Sequence, residues 1–189
     1  MFAYNSWENG TGPTLATTPM LLYPFEVRAI PDHKNPDESE WGVWVEVGDN
    51  SAVLIVGRKS LGPEGYVLPQ AGDCSQHQGY HGDPYQPQIL FYDPADLAAV
   101  AQGQINAWDV APYVRTALDK DLIETCEWFL NGATFDPENR FLYLLQSNAD
   151  TVSNEFEPYP VINVYKVLSE TTQPAKYFLF ITYLSKIIK

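Results

Sequence analysis

The chain has 189 residues, with 24 Asp plus Glu against 11 Lys plus Arg and a formal net charge of -13. That charge opposes contact with phosphate backbones and anionic lipid surfaces, which excludes nucleic acid and membrane as partners in this reading. Hydrophobic residues make up 45% of the chain and aromatic residues 14%, enough apolar surface for a core despite the charge.

Fifteen Pro and 12 Gly, spread along the chain, divide it into short segments that suit strands and turns better than long helices. Residues 1–39 read as a loop-rich N-terminal segment with one strand, Met20-Leu-Leu-Tyr23, ended by Pro24. Strands follow at Trp41–Val47 and Ala52–Gly57, joined by Gly48-Asp-Asn-Ser51, whose first residues tolerate the positive φ of a tight hairpin. Residues 59–88 carry Gly, Pro, Gln and His without periodicity, and a loop of that length marks a functional element or an insertion.

Gln88–Tyr92 reads as a strand stopped by Asp93-Pro94, and Ala95–Ala101 as the one short helix, ended near Gly103. Further strands are expected at Tyr113–Leu118, Phe129–Phe135, Arg140–Gln146, Val161–Val167 and Tyr177–Leu184. From Trp41 on, the expected strands number eight, in two sets of four.

The two sets echo one another. Gly42-Val-Trp-Val-Glu-Val, a turn, and Ala52-Val-Leu-Ile-Val return 90 residues later as Gly132-Ala-Thr-Phe-Asp-Pro, a turn, and Phe141-Leu-Tyr-Leu-Leu. A repeated four-stranded antiparallel unit is the signature of a β-propeller blade, so the expectation is an all-β fold of two blade-like units, a partial β-propeller. The first unit would span residues 40–118 with the 59–88 insertion, and the second 119–189 with a basic, apolar tail. Two blades cannot close a ring, so the unpaired edges would meet further blades or other copies. An eight-stranded β-sandwich is the alternative.

Four stretches carry a resemblance: Val53–Pro63, His81–Leu97, Trp108–Tyr113 and Gly132–Tyr143. Together they resemble the C-terminal part of uncharacterised bacterial exported proteins with propeller-like repeats. The resemblance covers roughly residues 15–167 and implies a β-propeller segment of an exported protein, extracellular or periplasmic. It brings no known activity. The given chain shows no secretory signal at its start, where neither a basic nor an apolar region stands.

Candidate chemistry concentrates in the long loop. Cys74, His77, His81 and Asp83 form a dense set of potential ligands that could wrap a tetrahedral zinc ion. The competing use of Cys74 is a disulfide to Cys126, the only other cysteine, and the two uses exclude each other. Calcium is the second candidate ion, through the acidic turns Asp93-Pro-Ala-Asp96 and Asp136-Pro-Glu-Asn139, although neither follows an EF-hand loop. No cofactor is demanded by any motif. Tyr66, Tyr80, Tyr85, Trp108 and Tyr113 lie in or beside loops rich in Gln and Asp, and flat rings with such neighbours suit a sugar or peptide ligand.

The leading functional reading is a non-catalytic binding or assembly scaffold. A metal-assisted hydrolase with its pocket at the 60–87 loop is the rival, and a self-associating structural protein the third.

Overall fold

The computed structural model describes residues 2–4, 17–24, 30, 32–67, 74, 79–153, 156–169 and 179–188; at 2–4, 67, 79–81, 179–180 and 182–188 only the backbone is described. A short pair, β1 (Phe2–Tyr4) and β2 (Thr17–Pro19), precedes the main elements. The strand expected at Met20–Tyr23 therefore lies just upstream. Met20, Leu21 and Tyr23 instead pack against the core, where their apolar side chains cover a sheet face.

β3 (Glu38–Val47) alternates: Val45 and Val47 are buried, while Gly42, Trp44 and Glu46 are exposed on the opposite face. Val47 pairs with Asn50, leaving the two-residue turn Gly48-Asp49, and Gly48 takes a φ of 62°, as a primed hairpin turn requires. β4 (Asn50–Ser60) is buried at every residue from Ala52 to Ser60, so it is covered on both faces and reads as a continuous run. Part of the expected 59–88 loop is itself structured, as the hairpin of β5 (Gly65–Val67) with β6 (Gly79–His81).

β7 (Tyr85–Tyr92) leads into α1 (Pro94–Ala101), where Asp93 caps the helix by accepting from the Ala95 N–H at 2.8 Å and Pro94 stands where no N–H is needed. Then come β8 (Val114–Ala117), β9 (Leu130–Asp136), β10 (Phe141–Asp150), β11 (Tyr159–Ser169) and β12 (Leu179–Ile188). The first sheet has the order β3-β4-β7-β8 and the second β9-β10-β11-β12, both antiparallel. The chain is thus mostly β with one short helix, and each large sheet is a meander in chain order, as local hairpin pairing favours.

The first sheet is the middle layer. Ala52, Leu54 and Val56 of β4 meet Leu130, Leu142, Leu144, Tyr165 and Val167 of the second sheet in one core. Val53 and Ile55, pointing the other way, join Leu90, Tyr92 and α1 residues Leu97 and Val100 in a second core. At a transfer value of roughly 25 cal/mol per Å² of apolar surface, these two layers are the main source of stability.

The sheets also meet along their first strands. The β3–β4 register shifts between Ser39 and Trp41, so Glu40 is an extra, bulged residue. A bulge bends the strand and redirects its side chains. Glu40 Oε2 accepts the Leu130 N–H at 2.9 Å, and Trp41 Nε1 donates to the Ala133 carbonyl at 2.9 Å, both across to β9. Close approach at the bulge needs Gly57, since a Cβ there would lie 1.9 Å from the Glu38 carbonyl oxygen.

One core residue opposes this packing. Asn163 of β11 sits opposite Leu144, fully buried, and neither its Oδ1 nor its Nδ2 has a hydrogen-bond partner. An unmade buried hydrogen bond costs about 1–3 kcal/mol. Asn163→Leu, of similar shape, is expected to raise the urea midpoint and increase unfolding free energy by about 1 kcal/mol or more; an unchanged or lower midpoint would show that the amide is satisfied in solution.

Candidate binding groove

The residues singled out in the long loop do not gather into one site. Cys74 is bonded to Cys126, so its sulfur is not a thiolate and the four-residue zinc set loses its soft ligand. Asp83 Oδ1 accepts the Cys74 N–H at 3.1 Å, and its Oδ2 is buried with no hydrogen-bond partner. His77 lies outside the described residues, and His81 is described only in its backbone, paired with Gly65. Among the described residues, no three His, Cys, Asp or Glu side chains are grouped to hold a metal ion. In the acidic turns, Asp93 caps α1, while Asp136 accepts from the Glu138 and Asn139 N–H groups and from Asn139 Nδ2.

The aromatic set divides as well. Tyr85 is buried, with the Arg58 guanidinium 4.3 Å above its ring, so it cannot stack on a ligand. Tyr113 packs on the core with its ring 6.2 Å from Phe91. Trp108 is half-buried after α1, Tyr66 is exposed on β5, and Tyr80 pairs with Tyr66 through the backbone, its side chain outside the described residues. The strand pairing explains Tyr85: opposite Ser60 on β4, it faces the space that Arg58 fills.

Two buried cations organise the polar interior. Arg58 donates to Glu38 through Nε (3.0 Å) and Nη2 (2.8 Å), to the Glu127 carbonyl through Nη1 (2.5 Å), and lies over Phe129 at 4.5 Å. Its planar fork suits this combination of a bidentate pair and ring stacking. Burial raises the neighbouring Glu40 carboxyl to about 7, aided by the adjacent Glu38, although the Leu130 N–H and Arg58 favour its charged form. Lys59, on the other face of β4, donates to both oxygens of Asp37 (3.0 and 2.9 Å) and to the Asp32 carbonyl. Burial alone would raise Asp37, but hydrogen bonds from His33, the Lys34 N–H, Lys59 and the Ser60 N–H outweigh it and bring it down to about 2.

An open concavity lies along the outer face of β3. One cavity of about 340 Å³ is bordered by Tyr23, Ser39, Glu40, Trp41, Ile55 and Tyr92. A second, of about 470 Å³, is bordered by Met20, Trp44, Val53, Pro94, Leu97 and Ala98. Gly42 borders both, and a Cβ there would meet Ile55 Cδ1 at 3.3 Å. Trp44 is 54% exposed and Trp41 48% exposed, whereas the large rings Phe91, Tyr92 and Tyr165 are fully buried. Below, Tyr23 donates its hydroxyl proton to the Val110 carbonyl (2.8 Å) and accepts from the Tyr92 hydroxyl (2.9 Å), tying residues 20–23 to the sheet as one wall of the groove.

Sequence reasoning passed over this groove because Trp41 and Trp44 fall within a strand. The signal was present: Val43, Val45 and Val47 occupy the core-facing positions of β3, which puts Trp44 on the face that should be polar.

No family model, curated protein or solved structure matches the chain.

Asp37 and Glu40 pull stability in opposite directions with pH. Asp37, lowered from 3.8 to about 2, contributes stability above pH 4 that is lost as pH falls toward 2. Glu40, raised from 4.5 to about 7, contributes stability below pH 4.5 that is lost as pH rises through 7. Thermal scans should show Asp37→Asn flattening the acid limb and Glu40→Gln flattening the decline between pH 4.5 and 7; parallel curves for wild type and Glu40→Gln would contradict the second assignment. The Cys74–Cys126 bridge closes 52 residues, and Cys74→Ser/Cys126→Ser is expected to cost roughly 2–4 kcal/mol in urea unfolding.

Proposed function

We propose that this chain is a non-catalytic binding module with a propeller-like architecture from an exported bacterial protein, and that its ligand surface is the groove along β3. The observation that carries this reading is the half-exposed Trp44 on the outer face of β3, beside two cavities that both border Gly42. Exposed aromatic rings on a rigid strand offer a ligand large contact area at little cost in side-chain entropy. The ligand face proposed from the sequence, the 60–87 loop, is thereby moved to the neighbouring strand.

The blade-like reading is supported by the sequential strand order of both sheets and by the contact of their first strands, β3 and β9. In a propeller the innermost strands of neighbouring blades adjoin in this way. The face-to-face core between the sheets is shared by the sandwich alternative. Export is supported by the disulfide, which persists in oxidising compartments. The hydrolase alternative keeps His77, His81 and Asp83 but not Cys74.

Fluorescently labelled wild-type protein and Trp44→Ala, applied to paired peptide and glycan arrays, test the reading. Wild type should give signals that Trp44→Ala loses at least tenfold while keeping its melting temperature. Signals unaffected by Trp44→Ala, or an absence of signal on both arrays, would argue against a ligand surface at β3.

A further inference from the structure

We infer that the groove along β3 takes an apolar peptide segment carrying lysine or arginine. The inference rests on the groove being the binding surface and assigns the chemistry of its ligand.

The larger cavity sets the first requirement. Met20, Val53, Leu97 and Ala98 are apolar, and Trp44 adds an exposed ring at the margin. A sugar in this space would leave its hydroxyls unpaired at about 1–3 kcal/mol each. Aliphatic side chains gain from the same burial at roughly 25 cal/mol per Å².

Charge sets the second. No described lysine or arginine borders either cavity. Glu46 shares the exposed face of β3 with Gly42 and Trp44. At the same end, the cap residue Asp93 and first-turn residue Asp96 of α1 stand one and two residues from the bordering Pro94. An anionic ligand such as a fatty acid would meet carboxylates at this end, with no described cation bordering the cavities to receive its head group, whereas a basic segment meets opposite charge there. The chain's net charge of -13 adds a long-range attraction for the same partner.

Length sets the third. From Ser39 to Trp44 the groove follows six strand residues, about 20 Å at 3.3 Å per residue, which matches an extended segment of similar length. The two volumes, about 340 and 470 Å³, exceed what one side chain fills, so two or three apolar anchors separated by basic residues fit the shape.

Fluorescein-labelled acetyl-LKLLKLK-amide and its counterpart acetyl-LELLELE-amide, titrated with the 189-residue chain and followed by anisotropy, test the inference. The lysine peptide should bind at least tenfold more tightly than the glutamate peptide. Trp44→Ala and the groove-filling Gly42→Val should each weaken it at least tenfold, Glu46→Gln should weaken it two- to fivefold, and all three variants should keep the wild-type melting temperature. Equal binding of the two peptides, or lysine-peptide binding unaffected by Trp44→Ala and Gly42→Val, would overturn the inference, the latter showing attraction to net charge alone. Nile red, an uncharged apolar probe, separates the two levels. Dye binding lost in Trp44→Ala without any lysine-peptide binding would keep the groove as a binding site and discard the peptide; neither dye nor peptide binding would remove both.

Discussion

The bulge at Glu40 is the constraint on which the rest of the structure depends. One extra residue in β3 turns Glu40 and Trp41 toward β9, where a carboxylate and an indole take up the Leu130 N–H and the Ala133 carbonyl. These two contacts hold the first strands of both sheets together and set the distance at which β4 and β10 close their shared core. Such a joint is directional, unlike the apolar burial around it, and so selects one orientation of the sheets from the many that would bury similar area. It also carries an electrostatic cost, because Glu40 is withdrawn from water beside Glu38, and Arg58 offsets only part of that cost.

The same strand serves two ends. Its inward valines belong to the core between the sheets, while its outward Gly42 and Trp44 border a groove that residues 20–23 and α1 wall on the far side. The groove exists because α1 covers the β4 and β7 part of the sheet and stops short of β3. A helix of eight residues, about 12 Å long, cannot cover a strand of ten, about 33 Å. Rigid walls on both sides are what an aromatic binding surface needs in order to avoid an ordering cost on binding, which ties the proposed function to this mismatch of lengths.

The buried cations and the disulfide stabilise the loop side of the molecule. Arg58 and Lys59 are consecutive on β4 and so point to opposite faces, each finding a carboxylate from the segment before or within β3. Cys74 then ties the long insertion to the segment entering β9. These contacts tie the insertion to the first sheet, and Tyr85 at the start of β7 is packed under Arg58 instead of being offered to a ligand.

Eight strands and a helix were legible because each follows from local chemistry: alternation in β3, the Gly48-Asp49 turn, the Asp93-Pro94 cap of α1, and the apolar runs of β4 and β10. The all-β character and the division into two sets of four were therefore determined by the sequence alone. The candidate site was not. Whether Trp44 or Tyr85 faces solvent depends on which sheet face α1 covers and on where Arg58 lies, and these are contacts between residues far apart in the chain. Cys74 had two chemically sound uses, and only the approach of residues 74 and 126 in space selected one. Local preference writes the elements into the chain, while exposure, pairing and charge environment arise when distant surfaces exclude water from one another, and only the tertiary structure decided those.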